Sequence, residues 1–497
     1  MPTMTADDAD REWLNQVRPP DWPAADGGAY DLVVIGGGTA GLVSAMGAAG
    51  LGARVALVER DRLGGDCLNA GCVPSKALLR SARAVRDVLR APALGVPVAP
   101  PTPDFAAIMR RMRVLRAGLA HHDSAVRLAA AGVHVFFGVA RFTSAREVTV
   151  NGACLRFRRA VVATGGRPVA PPVPGLSDVG FLTSDQVFDL TEMPRRMLVI
   201  GAGPIGCELA QAFACFGSTV TLADTADRVL PREDPDASAI LARRLASDGV
   251  RVEVGVRLQR MSRGSGGVSV VWQRGELEGT CEVDVVFVAA GRAPNIENLG
   301  LDEAGIRVGP AGIDVSARLR TTNRRVFAAG DVAAPWKFTH AADATARLVL
   351  QNALFFGRRR VTDLVIPWCT YTGPEVAHVG VTHEQATFGG LQTVTVPLAD
   401  VDRAVLDGTT DGFVRLHHWR GRIRGATIVA PHAGDLVAYV AHVIRHAGTL
   451  GDLAAAVSPY PTYADALRMA GDIYRRTLLT KRVRAVFRRY FSVARGW

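Results

Sequence analysis

The stretch from Gly64 to Lys76 reads GGDCLNAGCVPSK and places two cysteines five residues apart. In a regular α-helix, Cα atoms at that spacing are roughly 8.6 Å apart, given a rise of ~1.5 Å and a radius of ~2.3 Å. A disulfide requires less than about 7 Å between its Cα atoms. If Cys67 and Cys72 pair, this segment is therefore not a regular helix. The residues alone leave two unpaired buried thiols as the alternative.

The residues around the cysteines indicate how a thiol could be activated here. Gly71 can adopt backbone angles that other residues avoid, and Pro74 suits the first turn of a helix that begins just after the pair. The N–H groups and the dipole at a helix N-terminus stabilise negative charge and favour a thiolate. The stretch therefore predicts a redox switch at the start of a helix.

A dinucleotide-binding pattern lies just upstream of the cysteines. The apolar strand Asp31–Ile35 leads into the turn GGGTAG, a helix follows, and the strand Val55–Val58 ends at an acidic residue. In such a unit the glycines let the backbone approach a pyrophosphate, and the acid accepts hydrogen bonds from ribose hydroxyls. The candidate nucleotide contacts are Gly36, Gly38, Gly41 and Glu59.

A second pattern of this kind starts at the strand Met197–Ile200, so the chain is expected to bind two dinucleotides. Asp224 follows the next strand and would accept from a free 2′-hydroxyl but repel a 2′-phosphate, which favours NADH. Arg228 lies nearby in sequence and favours NADPH. The candidate contacts in this unit are Gly201, Gly203, Gly206 and Asp224.

The cysteine stretch resembles the redox-active motif of the class I pyridine nucleotide–disulfide oxidoreductases, and the resemblance extends from about Tyr30 to about Thr480. It implies an α/β fold with two Rossmann-like dinucleotide-binding domains, for FAD and NAD(P), and a C-terminal α+β dimerisation domain. It also implies that electrons pass from NAD(P)H through FAD to a Cys67–Cys72 disulfide and on to a disulfide or other sulfur-type acceptor. Cys72 would lie nearer the flavin, and Cys67 would exchange with the substrate.

The resemblance implies further site residues. In the family, a lysine after the cysteine motif and a glutamate on the second nucleotide-binding helix form an ion pair near the flavin. Lys76 and Glu208 stand at those positions, although Glu208 is also readable as an acid that stabilises its helix dipole. The other candidates stand in segments that join the two nucleotide-binding domains or repeat the FAD motif. They are Thr164, Gly165, Gly330 and Asp331 for FAD, and Gly291 for NAD(P).

The segment Trp368–Gly380 resembles the start of the family's interface domain, which forms a homodimer with a shared active site. Other family members carry a catalytic histidine and glutamate in this domain, where Tyr460 and Asp465 stand here. An unperturbed tyrosine has a pKa of about 10, against about 6.5 for histidine, and is a poor base at neutral pH. Tyrosine at this position, together with the sequence FTHAA from Phe338, resembles the mercuric reductase branch.

Two alternatives to a sulfur-type acceptor stay open. Thiolates suit soft ions such as Hg(II), so the same thiol pair could serve a mercuric or other metal-ion reductase. Mercuric reductase carries a cysteine pair near its C-terminus and an N-terminal metal-carrying domain, whereas no cysteine follows Cys369 in this sequence. A redox-sensing flavoprotein with little turnover is the third possibility. No resident metal site is predicted.

Composition is that of a multidomain globular protein: 497 residues, 48% hydrophobic, with seven cysteines. The N-terminus lacks a signal-peptide pattern, which predicts a cytoplasmic protein. The family resemblance implies a role in cell redox homeostasis. A net charge of +11 favours anionic partners, but no nucleic-acid motif occurs. The basic amphipathic pattern from Thr480 to Tyr490 predicts a helix that lies on an anionic membrane or docks on the dimer, and the second interpretation is favoured.

We expect six segments along the chain. In order, they are an N-terminal arm (1–29), the first part of the FAD-binding domain (30–165), the NAD(P)-binding domain (166–290), the second part of the FAD-binding domain (291–364), the dimerisation domain (365–478) and a basic C-terminal tail (479–497).

Overall fold

The computed structural model describes residues 8–23, 25 and 27–495. Parts of the predicted N-terminal arm and the end of the predicted tail therefore lie outside the described residues. The chain divides into two compact units. The first comprises the chain up to Thr225 together with Gly249–Leu364, and the second comprises Ala226–Asp248 together with the chain from Val365 onward. The division into six segments stays a prediction.

The elements are numbered in chain order. The helices are α1 (Asp8–Val17), α2 (Thr39–Gly50), α3 (Gly65–Asn69), α4 (Cys72–Arg90), α5 (Phe105–Ala120), α6 (Ala125–Ala130), α7 (Leu176–Val179), α8 (Pro204–Phe216), α9 (Pro235–Ser247), α10 (Thr339–Leu354), α11 (His383–Phe388), α12 (Asp402–Leu406), α13 (Ala433–Arg445), α14 (Leu450–Ala455), α15 (Asp465–Leu478) and α16 (Lys481–Ala494). The strands are β1 (Gly28–Ile35), β2 (Val55–Glu59), β3 (Val133–Phe137), β4 (Arg141–Ser144), β5 (Glu147–Val150), β6 (Ala153–Val162), β7 (Gly166–Pro168), β8 (Arg196–Ile200), β9 (Thr219–Asp224), β10 (Val250–Val254), β11 (Arg257–Gly264), β12 (Gly267–Arg274), β13 (Leu277–Val283), β14 (Val285–Val288), β15 (Arg292–Pro294), β16 (Val308–Gly309), β17 (Gly312–Ile313), β18 (Val326–Ala328), β19 (Pro367–Thr370), β20 (Glu375–Gly380), β21 (Gln392–Pro397), β22 (Phe413–Trp419) and β23 (Arg422–Ala430).

The first sheet of unit one has the strand order β3-β2-β1-β6-β5-β4, and β18 also pairs with β6. The pairs β1–β2, β2–β3, β1–β6 and β6–β18 are parallel. The apolar run of β1 is buried from Leu32 to Ile35 because side chains pack on both faces of this sheet. Since β18 comes from the second half of the sequence, the sheet joins two distant parts of the chain.

The second sheet of unit one, β10-β9-β8-β14, is parallel throughout. Helix α8 connects β8 to β9, as α2 connects β1 to β2, so the two predicted nucleotide-binding patterns have the same strand–turn–helix–strand form. Strands β7 and β15 form a two-stranded antiparallel ribbon between the segments that link the two sheets. The predicted pair of Rossmann-like domains is confirmed.

The second unit is built on the antiparallel sheet β19-β20-β23-β22-β21. Its core is formed by apolar side chains of this sheet with those of α13, α14 and α15, among them Ala377, Ile428, Val440 and Leu467. This is the predicted C-terminal α+β domain. Helix α9 also belongs to this unit, although it is encoded between β9 and β10 of the first.

Candidate active site

The two cysteines lie on either side of a break between helices. Cys67 is in the short helix α3, and Cys72 is the first residue of α4. The helix was expected to begin just after the pair. Instead it begins at Cys72 itself, because Gly71 takes the cap position with a φ of −138° and a ψ of −109°. A Cβ on Gly71 would lie 2.7 Å from the carbonyl oxygen of Asp66, so only glycine fits this close turn.

The cysteine stretch packs directly against the glycine turn after β1. Gly65 has a φ of +57°, and a Cβ there would lie 2.6 Å from the Cα of Gly38. Gly64 also has a positive φ, and its N–H donates to the carbonyl of Gly37 at 2.9 Å. The cysteines and the first nucleotide-binding turn therefore form one continuous surface.

When reduced, the thiols of Cys67 and Cys72 have pKa values shifted in opposite directions from that of an ordinary cysteine. The Cys67 thiol donates a hydrogen bond to Cys72, which lowers the pKa of Cys72 to about 6 and raises the pKa of Cys67. Thr339, the first residue of α10, lies 3.2 Å from the Cys72 sulfur through its hydroxyl, and together with the Lys76 ammonium it lowers the pKa of Cys72 further. At neutral pH the pair therefore holds one thiolate, on Cys72, and one thiol, on Cys67.

Lys76 and Glu208 form an ion pair of 2.7 Å between Nζ and Oε2. Lys76 lies one helical turn after Cys72 on α4, and Glu208 lies on α8. The Glu208 side chain is only 4% exposed, against 37% for Lys76, so the ammonium compensates a carboxylate that is shielded from water. The two charges act on the Cys72 thiol in opposite directions: Lys76 lowers its pKa and Glu208 raises it.

The two nucleotide-binding turns have matching backbone geometry. A Cβ on Gly41 would lie 1.8 Å from the carbonyl oxygen of Gly36, and a Cβ on Gly206 would lie 1.8 Å from that of Gly201. The N-caps of α2 and α8 are glycines without side-chain caps, Gly38 and Gly203. Both helix N-termini are thus shaped to receive a phosphate group on backbone N–H donors.

The acids that end the second strand of each nucleotide-binding pattern, Glu59 of β2 and Asp224 of β9, are also equivalent. Glu59 Oε2 accepts from the N–H of Gly37 at 2.6 Å, and Asp224 Oδ2 accepts from the N–H of Ala202 at 2.6 Å. Burial raises the pKa of Glu59, against the hydrogen bonds it accepts. Each carboxylate is held beside its own turn, where the ribose of a bound dinucleotide is expected.

Gly330 and Asp331 approach the first turn from the other half of the chain. Gly330 has a φ of +74°, and a Cβ there would lie 3.2 Å from the Cβ of Ala40 in the first turn of α2. Burial raises the pKa of the Asp331 carboxyl, and Arg292 opposes this from 3.7 Å. A long dinucleotide that touches both the first turn and Asp331 fits these residues, which supports FAD here.

The segments around Thr164 and Gly291 connect the two sheets. The Thr164 hydroxyl donates to the carbonyl of Asn295 at 2.7 Å, and the Asn295 amide donates back to the carbonyl of Thr164 at 2.9 Å. Gly165 and Gly291, with φ values of +68° and +150°, lie beside this link. The predicted residues are therefore brought together, next to the ribbon of β7 and β15.

Two residues near the cysteines were missed by the sequence reasoning. Thr339 contacts Cys72, and Arg292 binds Asp66 of the cysteine stretch as well as the carbonyl of Gly166 at 2.7 Å. Both stand beside segments that the sequence did single out, namely the one beginning at Phe338 and the one containing Gly291. Their side chains reach the cysteine stretch only through contacts between distant parts of the chain.

Tyr460 and Asp465 lie in the second unit, near the start of α15. The Tyr460 hydroxyl donates to Asp402 at 2.7 Å, which raises the tyrosine's pKa, so even less phenolate is present to act as a base at neutral pH. Asp465 is buried and accepts from the guanidinium of Arg468 at 3.1 Å. Their place beside the cysteines of a partner subunit stays a prediction.

The family model described as pyridine nucleotide-disulphide oxidoreductase matches residues 30–346, and the model of that family's dimerisation domain matches residues 366–470. The chain belongs to the pyridine nucleotide-disulphide oxidoreductase family. It is therefore an FAD-dependent NAD(P)H oxidoreductase of the disulfide reductase type, as the sequence predicted. The family's dimerisation domain corresponds to the five-stranded sheet and its helices.

Three relatives represent the similarity within this family. The chain is 33% identical to the mercuric reductase of Staphylococcus aureus over 448 residues, which is 89% of this chain and 82% of that protein. It is also 33% identical to the dihydrolipoyl dehydrogenase of Thermus scotoductus, over 89% and 97% of the two chains. Among solved structures it resembles the Cu(II) complex of the HOCl-induced flavoprotein disulfide reductase RclA from Escherichia coli, with a TM-score of 0.80 and 28% identity over 90% and 99% of the chains.

Neither a metal-binding cluster nor a membrane-spanning helix occurs in the part of the chain that the structure describes. Over residues 8–23, 25 and 27–495, no cluster of three or more histidine, cysteine or acidic side chains is arranged to hold a metal ion. None of the helices in that part of the chain combines the length and apolar character needed to cross a membrane.

Proposed function

We propose that this enzyme uses Cys67 and Cys72 to reduce a small disulfide or other sulfur-type acceptor. The observation that carries the proposal is the hydrogen bond from the Cys67 thiol to Cys72, which keeps one sulfur of the pair as a thiolate. Thiol–disulfide exchange needs a thiolate to attack the acceptor disulfide and a second sulfur to resolve the mixed disulfide, and this pair supplies both. The overall reaction consumes NAD(P)H, one proton and one acceptor disulfide, and yields NAD(P)⁺ and two thiols.

The exchange steps balance with the single proton that the cysteine pair shares. Transfer of this proton along the hydrogen bond to Cys72 leaves a thiolate on Cys67, which attacks one acceptor sulfur and expels a thiolate. Cys72 then attacks the Cys67 sulfur of the mixed disulfide, restores the Cys67–Cys72 bond and expels the second thiolate. The shared proton leaves with these products, and solvent supplies the other.

FAD, when bound, would supply the two-electron transfer between NAD(P)H and the disulfide. We assign its binding to the first turn and to the segments that meet it, and NAD(P)H binding to the second turn. Glu208 would hold the Lys76 ammonium in place one helical turn after Cys72. The residues proposed for FAD are Gly36, Gly38, Gly41, Glu59, Lys76, Thr164, Gly165, Gly330 and Asp331, and those proposed for NAD(P)H are Gly201, Gly203, Gly206, Asp224 and Gly291.

NADH is the coenzyme we favour. The Asp224 carboxylate at the second turn would repel a 2′-phosphate. The guanidinium of Arg228, the residue that argued for NADPH, is engaged elsewhere: it binds Asp227 at 3.2 Å and the carbonyl of Pro231 at 3.0 Å.

The family's dimerisation domain supports a homodimer in which Tyr460 and Asp465 of one subunit line the acceptor side of the other subunit's Cys67. Since the Tyr460 hydroxyl donates to Asp402, this residue would orient an acceptor rather than donate a proton to the expelled thiolate. The protons that the expelled thiolates take up would therefore come from the cysteine pair and from solvent.

A metal-ion reductase is the second candidate. It is favoured by the relative named mercuric reductase and by the Cu(II) complex of RclA. A thiolate beside a thiol would bind a soft ion such as Hg(II) well, and two electrons would reduce it to the metal. A redox sensor with little turnover is the third candidate.

The test is anaerobic oxidation of NADH, and in parallel of NADPH, by the purified holoenzyme with a panel of small disulfides or with Hg(II) and excess thiol. We expect disulfide-dependent oxidation that falls to background in Cys67→Ser and in Cys72→Ser and is unchanged in the control Cys281→Ser. Cys281 is a half-buried cysteine on β13.

Three other outcomes would contradict the proposal or support one of the other candidate functions. Full activity in either active-site variant, with FAD still bound, would contradict the proposed electron path. Oxidation that requires Hg(II) would select the metal-ion reductase. Reduction of the bound flavin without turnover on any acceptor would select the sensor.

A further inference from the structure

Helix α16 presents an amphipathic surface that the disulfide reductase reaction does not use. It follows α15 after a short connection, and the hydroxyl of its N-cap Thr480 accepts from the N–H of Val483 at 3.3 Å. Every residue of α16 is exposed, including large apolar ones such as Phe487 at 47% and Tyr490 at 64%. The match to the dimerisation-domain model ends at residue 470, before this helix begins.

A projection at about 100° per residue divides α16 into two faces. The apolar face carries Val483, Val486, Phe487, Tyr490, Val493 and Ala494. The opposite face and its edges carry Lys481, Arg482, Arg484, Arg488, Arg489 and, just after the helix, Arg495. The helix sequence KRVRAVFRRYFSVA contains neither aspartate nor glutamate. Such a helix suits a partner that has a negatively charged surface with an apolar layer directly beneath it.

We propose that α16 lies in the plane of an anionic lipid bilayer and attaches the enzyme to it peripherally. Its aromatic and aliphatic side chains would enter the boundary between headgroups and acyl chains, and its arginines would pair with lipid phosphates. A helix of this length is marginal in water, so adsorption would also stabilise it.

A second copy of this chain is a poorer partner for the basic face. The protein has a net charge of +11, so two copies repel each other on average. Docking on the dimer, which the sequence alone favoured, would therefore need an acidic surface against the overall balance of charge, whereas an anionic bilayer attracts all six cations.

The test is co-sedimentation of the full-length holoenzyme with vesicles of phosphatidylglycerol and phosphatidylcholine, and with vesicles of phosphatidylcholine alone. We expect binding to the anionic vesicles at low salt that weakens at high salt. Neutralising one arginine near an anionic surface weakens binding about fivefold, so Arg484→Gln with Arg488→Gln is expected to weaken it about 25-fold. Phe487→Ser tests the apolar face and is expected to weaken binding as well.

Arg243→Gln with Arg324→Gln is the matched control, because it removes two exposed arginines outside α16. It is expected to bind vesicles as the wild type does. Equal weakening in this control would mean that only net charge matters and would overturn the proposal. So would failure to bind anionic vesicles at low salt, equal binding to neutral vesicles, or a dimer that dissociates when Arg484 and Arg488 are neutralised. NADH-dependent turnover is expected to be unchanged in all these variants, since none lies in the proposed catalytic or binding sites.

Discussion

The acidity of Cys72 depends on three neighbours that the chain brings from different places. Its position at the first residue of α4 is local, and Lys76 follows one turn later on the same helix. Cys67 and Thr339 complete the set, one across the break before α4 and the other from the start of α10. A small change at any of these groups is expected to change the pKa of Cys72.

Replacing Lys76 with methionine is expected to raise the pKa of Cys72 from about 6 toward the ordinary thiol value. The ammonium that favours the thiolate is lost, and Glu208, which disfavours it, stays close by. In the wild type the thiolate forms as the pH rises through about 6, so exchange should persist down to that pH and fall below it. Titrating the ultraviolet absorbance of the thiolate in the reduced protein measures the pKa directly.

Lys76→Arg is the control for this prediction, since it keeps the positive charge. It is expected to hold the pKa of Cys72 close to the wild-type value. An unchanged pKa in Lys76→Met would mean that the hydrogen bond from Cys67 alone sets the acidity of Cys72.

At the scale of elements, helix α1 packs against the cysteine stretch and is hydrogen-bonded to it. The Trp13 indole donates to the Asn69 side chain at 2.9 Å, and Asn69, which lies between the two cysteines, donates to the carbonyl of Leu63 at 3.0 Å. Arg116 binds Asp10 at 2.6 Å, and its guanidinium stacks 3.8 Å from the Trp13 ring. The sequence predicted an arm in this region, and the structure shows that the helix of this arm contacts the cysteine stretch.

Trp13→Phe is expected to weaken the contact between α1 and the cysteine stretch. An aromatic ring is kept at this position, but the buried Asn69 oxygen loses its hydrogen-bond donor, which costs about 1–3 kcal/mol of stability. The midpoint potential of the Cys67–Cys72 couple should shift, as measured by equilibration with dithiothreitol buffers and mass analysis of the alkylated cysteines.

Trp22→Phe is the matched control for Trp13→Phe. It removes an indole hydrogen bond to the carbonyl of Val135, which lies on β3 rather than in the cysteine stretch. If the midpoint potential of the Cys67–Cys72 couple shifts equally in both variants, the hydrogen bond from Trp13 has no specific effect on the cysteines. The shift would then reflect a general loss of stability.

At the scale of the molecule, the two units should respond differently to loss of FAD. The proposed FAD site uses β1, β6 and β18 and their loops, all in the first unit, and a ligand stabilises the unit that binds it by mass action. With free FAD at 100 times its dissociation constant, this amounts to about 2.7 kcal/mol. The second unit has its own core.

Removing FAD is therefore expected to speed amide hydrogen exchange in β1, β6 and β18 and to leave β22 and β23 unchanged. Mass spectrometry of peptides from both units measures this, and adding FAD back should restore the slow rates. Faster exchange throughout the second unit would contradict a site confined to the first.

Much of the fold and part of the site could be predicted because they depend on short-range patterns. The glycine turns, the apolar strands around them and the cysteine spacing are each written within about thirty consecutive residues. They indicated two Rossmann-like units, and the family resemblance implied the C-terminal α+β domain and the disulfide reductase family; all three are confirmed.

What only the tertiary structure decided are contacts between distant residues. The Lys76–Glu208 ion pair was expected by resemblance, but its length and the burial of its carboxylate come from the packing of α4 on α8. Thr339 beside Cys72 and Trp13 beside Asn69 left no local pattern. Backbone conformation and hydrophobic periodicity are local properties and can be read along the chain. The charge and proton content of the cysteine pair depend on groups that meet only after folding.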